Sequence, residues 1–370
     1  MNVIRIGITG QAGFVGTHLY NWLGLFPDKY VRVTFDDSYF SSSNKMEEFV
    51  GNCDVIVHLA AINRHEDAQV IYSTNVELVE KLITAMESVN AKPHVLFSSS
   101  TQENLDNLYG KSKSEGRRKL ELWAERNNAN FSGLIVPNVF GEFSLPNYNT
   151  FIATFAHKLI NQEEPKVMVD SDVRLIYIAS LCKFIISQFS NNGINRIEIP
   201  FDFERKVTDI LNLFKEFKIL YLDQGIIPVL KDINEVNLFN TFRSYITPCS
   251  LELKKHTDER GIFVETIKLG VGGQVSFSTT VPGITRGNHY HTRKIERFTV
   301  IKGKAVIQLR KIGTNEIFSF KLDGKNPSYV DMPVWYTHNI KNVGDEELYT
   351  QFWINEWYNP NDGDTYFEEV

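Results

Sequence analysis

The sequence predicts two folds in succession: an α/β doubly wound parallel sheet over residues 1–245, then an all-β barrel of antiparallel strands over residues 246–370. Three observations carry this. Short apolar runs alternate with amphipathic stretches through the first half, which is the strand–helix rhythm of a parallel sheet covered on both faces. The glycines of "TGQAGFVGTHL" fall between the first such strand and the first such helix. After "SYITPCS" (244–250) helical periodicity stops, and short runs of alternating polarity follow, divided by Gly, Asn, Asp and Pro.

Taken in order, "VIRIGITG" is a buried parallel strand ending in glycine, and "FVGTHLYNWLGLF" has helical spacing. "VRVTFDD", "DVIVHLAA" and "HVLFSSS" are further strands that end in small or polar residues. "NVELVEKLITAMES" and "SEGRRKLELWAERN" lie between strands as amphipathic helices. From about residue 150 helices dominate ("FIATFAHKLINQ", "SLCKFIISQFS", "VTDILNLFKEF"), as in a smaller substrate-side subdomain. Beyond 245, "QVSFSTTV", "ERFTVIKG", "KAVIQLRKI", "IFSFKL" and "LYTQFWIN" read as the strands of a sandwich or barrel.

A chain of 370 residues, 42% hydrophobic and 23% charged, suits two globular domains. Its net charge of −6 gives no basic footprint, so neither nucleic acid nor an anionic membrane is expected as a partner. The N-terminus lacks a signal-peptide pattern, and no run approaches the roughly 18–20 apolar residues that span a bilayer. A cytoplasmic protein is expected. Cys53, Cys182 and Cys249 are scattered and read as three free thiols.

The first candidate site combines four features. Gly10, Gly13 and Gly16 have the spacing that lets backbone approach a pyrophosphate at a helix N-terminus. Phe14 and Val15 open that helix, and Leu59 and Ala60 of "HLAA" end a neighbouring strand; all are read as cofactor-binding. Ser98, Ser99 and Ser100 end the strand before Tyr109 and Lys113, which form YxxxK. Hydride added to a ketone leaves an alkoxide that needs a proton. A tyrosine is a poor acid near its free pKa of about 10, and an ammonium on the same helix face is expected to lower it. A strand-end hydroxyl can hold the carbonyl oxygen. Asp36, with Asp37, stands where a carboxylate would accept from a ribose 2′-OH and repel a 2′-phosphate, which favours NADH. Arg32 is a nearby mid-strand cation.

These residues resemble the extended short-chain dehydrogenase/reductase family over about residues 3–240, with a Rossmann-type sheet. The resemblance implies Tyr109 as acid/base, Lys113 as its partner and ribose binder, and Ser100 as the third member, with Ser99 and Thr101 as alternative registers. It places Asn138 of "PNVFGEF" near a sugar nucleotide. It offers Arg174 for the diphosphate, although a surface arginine at a strand edge is an equal reading.

The second candidate site lies in "RGNHYHTRKIERFTVIKG". Gly283, His289, His291, Glu296 and Gly303 fit G-x5-HxH-x4-E-x6-G, and Pro333, His338 and Asn342 fit P-x-G-x2-H-x3-N with Trp335 in place of the glycine. These are the two cupin motifs, and they imply a jelly-roll barrel. On a strand, residues two apart face one side, so His289 and His291 point together. With Glu296 and His338 they can hold zinc, or another divalent metal. "DERGIFVE" (258–265) and "RGNHY" resemble the deoxysugar 3,5-epimerase branch of cupins, but its catalytic histidine position is taken here by a metal ligand, His289. The base stays open among Tyr336, Tyr290 and Lys294.

A reductase and a keto-sugar epimerase both use a 4-ketone. The combination resembles a family of bifunctional capsular-polysaccharide enzymes. That resemblance implies C3 epimerisation in the cupin, then C4 reduction of a UDP-2-acetamido-2,6-dideoxy-4-hexulose to a UDP-6-deoxy-N-acetyl-talosamine, toward UDP-N-acetyl-L-fucosamine. It implies NADPH, against the NADH reading of Asp36, so NADPH and NADH both stay open. A homodimer is expected. The alternative is a reductase whose cupin only dimerises or binds sugar.

Overall fold

The computed structural model describes residues 3–370 apart from 254, 259–260, 265, 270–272, 357–358 and 360. The side chains of the "DERGIFVE" stretch lie outside the described residues. The chain divides into two compact units: Met1–Thr154 with Met168–Val207, and Phe155–Val167 with Thr208–Val370.

The first unit is built from β1 (Ile4–Thr9), α1 (Phe14–Gly24), β2 (Tyr30–Val33), α2 (Ser43–Gly51), β3 (Val55–His58), α3 (Ala68–Ser88), β4 (His94–Ser100), α4 (Leu108–Asn127), β5 (Phe131–Val136) and β6 (Asn138–Phe140). After α5 (Phe151–Ile160), which is divided between the units, come β7 (Asp172–Tyr177), α6 (Ile178–Ser187), β8 (Ile194–Glu198) and β9 (Phe203–Lys206). Six strands form an all-parallel sheet in the order β2-β1-β3-β4-β5-β8. β3 reads "VIVH" and is buried at every position, as a strand covered on both faces must be. Strand order reverses at β1, so a crevice opens beyond the carboxyl ends of β1 and β3, where such sheets bind ligands. α4 is framed by its own chemistry: Asn107 accepts from Gly110 N–H at 2.7 Å, and Asn128 ends the helix in a left-handed turn at φ 49°. Trp123, Phe131, Leu82 and Met86 are fully buried between α3, α4 and the sheet. β2 is shorter than its sequence suggests: it ends at Val33, and Asp36 instead caps a 3-10 turn by accepting from Ser38 N–H at 2.9 Å.

The second unit adds α7 (Val207–Phe217), β10 (Ile226–Ile227), α8 (Ile233–Arg243) and the short strands β11 (Ser250–Glu252), β12 (Lys255–Asp258), β13 (Gly261–Val264) and β14 (Lys268–Leu269). The barrel follows as β15 (Gln274–Thr280), β16 (Thr285–Tyr290), β17 (Glu296–Lys302), β18 (Lys304–Lys311), β19 (Ile317–Asp323), β20 (Ser328–Met332), β21 (Tyr336–Asn342), β22 (Leu348–Ile354) and β23 (Tyr366–Phe367). Two five-stranded antiparallel sheets form it, β11-β20-β17-β22-β15 and β19-β18-β21-β16-β23. The fold class is therefore the α/β doubly wound sheet with a C-terminal all-β barrel. Residues 208–245, which the sequence reading assigns to the first domain, are built into the second compact unit. A buried polar chain ties them to the barrel. Arg243 Nε donates to Tyr221 Oη at 2.7 Å, Tyr221 donates to Asp331, and Asp331 takes both Arg297 Nε (2.8 Å) and Nη2 (3.1 Å). Helix and barrel residues thus satisfy each other's charges inside one unit.

Candidate active site and candidate metal centre

The glycine loop leaves β1 with Gly10 at φ 70°, a conformation that suits glycine. A Cβ on Gly10 would lie 2.8 Å from Ala60 N, and one on Gly16 would lie 2.3 Å from Gly10 O. The loop therefore packs backbone on backbone against Leu59–Ala60 at the end of β3. α1 starts at Phe14, followed by Val15, with no side-chain cap and no acidic residue in its first turn, which leaves its N-terminus suited to an anion. Asp36 is exposed, and its carboxyl is held below the usual range mainly by the Ser38 hydrogen bonds. Arg32 is turned toward α1: it stacks 4.2 Å over Tyr20 and donates to Tyr20 O at 3.2 Å.

The ends of β4 and α4 bring the serines, Tyr109 and Lys113 together. Lys113 is 4% exposed, donates to Ser98 O at 2.9 Å and lies 5.8 Å from the centre of the Tyr109 ring. The ammonium was expected to lower the tyrosine. Burial decides otherwise: it pushes Tyr109 up to about 12, with Tyr148 adding to the rise, and pulls Lys113 down to about 8. Desolvation disfavours phenolate and ammonium alike. The serine register separates by partner. Ser99 donates to Glu103, which Arg117 holds at 2.9 Å. Ser98 donates to His58 O at 3.2 Å. Ser100 accepts from Gln102 N–H at 3.1 Å, and among the described residues its own O–H has no acceptor. Thr101 is exposed and begins the 3-10 turn. Sequence reasoning passed over Glu103 and Arg117, and also Asn75, which is buried and ties Ile62 to Ser112 beside the YxxxK pair.

Asn138 and Arg174 come together on adjacent strands, with Asn138 Nδ2 3.4 Å from Arg174 O. Both are exposed. Arg174 pairs with Glu204 across the β7–β9 ladder at 3.0 Å and lies over Phe201.

In the barrel, β16, β17, β21 and the loop after β16 bring His289, His291, Glu296 and His338 together, with ligand atoms all within 4.8 Å of one another. Glu296 Oε2 lies 3.2 Å from His291 Nε2 and 3.0 Å from His338 Nε2. Donor bonds of about 2.0–2.2 Å at tetrahedral angles would put donor atoms about 3.3–3.6 Å apart, close to these spacings. Among the described residues, the same three atoms are buried without a hydrogen-bond partner. Buried orphans pointing at one place fit a cation. Burial pulls His289 down to about 4, helped by the other two histidines, so it is a neutral donor. Burial opposes charge on Glu296, but the pull of His291 and His338 outweighs it and holds the carboxyl well below the usual carboxylate range. Burial opposes charge on His291, but the Glu296 carboxylate wins and raises it. His291 Nδ1 lies 2.5 Å from Asp364 O.

The motif glycines mark turns, with Gly283 at φ 79° and Gly303 at φ 84°. Trp335 occupies the missing motif glycine's place at φ 60°. A left-handed residue with a side chain costs about 1–2 kcal/mol. Here the ring stacks on Tyr290 at 5.5 Å and is 3% exposed, which offsets that cost. Asn342 is fully buried and ties Thr280 O, Glu346 O and Gly344 N together. Of the three candidate bases, Tyr290 packs between Trp335 and Tyr366, and Lys294 Nζ is tied to Gly363 O at 2.5 Å. Tyr336 stands two residues before His338 on β21 and shares its face.

The two units together define a nucleotide-binding α/β domain with a Ser–Tyr–Lys set, joined to a cupin barrel with a three-His, one-Glu cluster that could hold a metal. Comparison with known proteins agrees. Residues 6–186 match the NAD dependent epimerase/dehydratase family, and residues 256–366 match the polysaccharide biosynthesis C-terminal domain. The UDP-2-acetamido-2,6-beta-L-arabino-hexul-4-ose reductase of Pseudomonas aeruginosa is 30% identical over 372 residues, covering 98% of each chain. The crystal structure of the capsular polysaccharide assembling protein CapF from Staphylococcus aureus is 35% identical, with a TM-score of 0.61 over 99% of this chain and 100% of that one. The spore coat polysaccharide biosynthesis protein SpsL of Bacillus subtilis is 26% identical over 125 residues, 30% of this chain and 82% of that protein. This chain belongs to the CapF-like family of capsular polysaccharide enzymes, an extended short-chain dehydrogenase/reductase fused to a cupin.

Proposed function

We propose that this chain is a bifunctional sugar-nucleotide enzyme. Its first site reduces C4 of a UDP-2-acetamido-2,6-dideoxy-4-hexulose, and its barrel epimerises C3 of the same ketone beforehand. The product is a UDP-6-deoxy-N-acetyl-talosamine, on the way to UDP-N-acetyl-L-fucosamine. One observation carries the reading: a Ser–Tyr–Lys set and a four-donor cluster lie on one chain, over the full length of a relative named as a hexulose reductase.

In the first site, Ser100 donates its free O–H to the C4 oxygen and Tyr109 supplies the proton to the alkoxide. Burial pushes the phenol up to about 12, a weaker acid than free tyrosine, but the alkoxide is far more basic still and takes its proton. Lys113 braces the helix against Ser98 O and reaches the cofactor ribose. Bound NAD(P)H supplies the hydride. The exposed Asp36 favours NADH, because a carboxylate there repels a 2′-phosphate. In the barrel, His289, His291, Glu296 and His338 would hold zinc or another divalent ion. Such an ion, when bound, acts as a Lewis acid on the C4 ketone and acidifies C3–H. The C3 proton leaves to water, and Tyr336, on the same face as His338 and with its buried phenol held in the acid form, returns a proton to C3. The working form is proposed to be a cytoplasmic homodimer, which light scattering can check. Among the described residues, no helix is long and apolar enough to cross a membrane.

The test is a pair of variants. Tyr109→Phe should stop cofactor oxidation and keep C3 exchange. His338→Ala should lose metal and C3 exchange while the first site still binds cofactor. Loss of both activities in each variant would contradict the division of labour.

A further inference from the structure

The C-terminal residues fold back onto the elements that carry the barrel's donors. β23 pairs with β16, matching Phe367 to His289 and Tyr366 to Tyr290. Glu368 N–H donates to Asn288 O at 3.0 Å, and Thr337, the neighbour of His338, donates to Glu368 O. Arg310 Nη2 reaches Glu368 Oε1 at 3.1 Å from β18.

Asp364 is the most committed residue of this segment. It is 5% exposed and has a left-handed backbone at φ 39°. Its carboxylate accepts from Thr292 N–H (3.1 and 3.2 Å), the Thr292 hydroxyl (2.6 Å), Arg293 N–H (2.9 Å) and Lys294 N–H (3.1 Å). Its carbonyl faces His291 Nδ1 at 2.5 Å. These bonds all go to the stretch that joins His291 to Glu296. Around them, Arg293 brackets Asp362 at 2.9 Å and Glu356 at 3.1 Å, and Lys294 Nζ holds Gly363 O.

On the reading that the four donors hold a metal, we propose that Asp364 is the positioning residue of that centre. Its carbonyl fixes His291 in the Nδ1–H tautomer, which leaves Nε2 as the donor. Its carboxylate fixes the loop's three consecutive amides, and with them the distance between His291 and Glu296. A ligand histidine whose other nitrogen is held this way keeps one orientation and is a stronger base. The cost of a left-handed residue, about 1–2 kcal/mol, is met by this set of bonds. The C-terminal segment therefore acts as a clasp on the metal centre.

The test uses the full chain, stripped and reloaded with zinc or cobalt. Zinc affinity is read by competition with a chromophoric chelator, and donor geometry from the visible bands of the cobalt form. Asp364→Ala keeps the backbone carbonyl but frees the loop amides that aim His291 and Glu296, so it should weaken zinc by about tenfold, the low end of the loss when a metal ligand's outer partners are disturbed, and should shift the cobalt bands. Asp364→Asn keeps one acceptor oxygen and should recover part of the loss. Thr292→Val removes one hydrogen bond and should give a small loss in the same direction. Cofactor binding to the first unit reports that each variant is folded there. A folded Asp364→Ala with unchanged affinity and unchanged cobalt bands overturns the proposal. Should Asp364→Ala not fold, unchanged affinity in both Asp364→Asn and Thr292→Val overturns it. Failure of the unsubstituted chain to bind zinc or cobalt overturns the metal reading itself, and that result is distinct because no variant is involved.

Discussion

Glu142→Gln should make the protein more stable at pH 8 and leave it unchanged near pH 4.5. Glu142 follows Gly141 in the segment next to Asn138 and is fully buried. Tyr177 donates to its Oε1, while Oε2 is buried without a partner. Its backbone carbonyl faces His18 Nε2 of α1 at 2.9 Å. Burial raises the carboxyl from 4.5 to about 7, against the smaller opposing pull of the Tyr177 hydrogen bond. The folded chain therefore holds a proton that the unfolded chain has released. Between 4.5 and about 7, stability falls as pH rises, because the unfolded state binds fewer protons. Each pKa step is worth about 1.4 kcal/mol, so the total loss is about 3 kcal/mol, complete above about pH 7. Glutamine keeps the acceptor for Tyr177 and has no charge to bury. Urea unfolding at pH 5 and pH 8, followed through Trp22 and Trp123 of the same unit, measures the difference. The variant should gain about 3 kcal/mol at pH 8, or about 6–12 °C in Tm for a domain of this size. Equal pH dependence in the two proteins would refute the argument, and a loss of stability at pH 8 would mean that the carboxylate is paired.

Three further outcomes are expected. Tyr109→Phe should slow C4 reduction by about 10²–10⁴-fold, the usual worth of a positioned acid, in a stopped assay of NAD(P)H oxidation. Asp36→Ala should improve NADPH use relative to NADH by about tenfold, since unit charges 4 Å apart interact by about 1 kcal/mol in water and a phosphate carries nearly two. The ratio of kcat/KM for the two cofactors is the readout, and an unchanged ratio removes Asp36 from the ribose site. Gly16→Ala should lower cofactor affinity, because its Cβ would meet Gly10 O at 2.3 Å and backbone cannot step aside cheaply. Overpacking of this kind costs about 1–3 kcal/mol, so titration should show about tenfold weaker binding.

Local chemistry was legible in the sequence. Glycine spacing, strand-end serines and YxxxK depend on neighbours within one strand–turn–helix, and the structure sets those residues at or just past the carboxyl ends of β1 and β4. The four barrel donors were legible because period-two strands and motif spacing carry them. Long-range chemistry was not legible. Asp364 meets Thr292 from 72 residues away, and nothing local in either stretch announces it. The Arg243–Tyr221–Asp331–Arg297 chain joins helices to barrel across 110 residues between Tyr221 and Asp331, within the second unit. α8 left one local signal that was passed over: Asp232 accepts from Asn234 and Glu235 N–H while Glu235 accepts from Lys231 N–H, a near capping box. The pKa order of Tyr109 and Lys113 depends on burial, which spacing does not carry.

The most direct measurement leaves the nicotinamide out. The zinc-loaded chain would be incubated with UDP-2-acetamido-2,6-dideoxy-4-hexulose in D2O, and C3 followed by NMR and mass. Deuterium should enter C3, stop entering when the metal is stripped, and enter again when zinc is returned. No deuterium at C3, with the same ketone still oxidising NAD(P)H when it is added, would contradict the account and leave a reductase with a non-catalytic barrel.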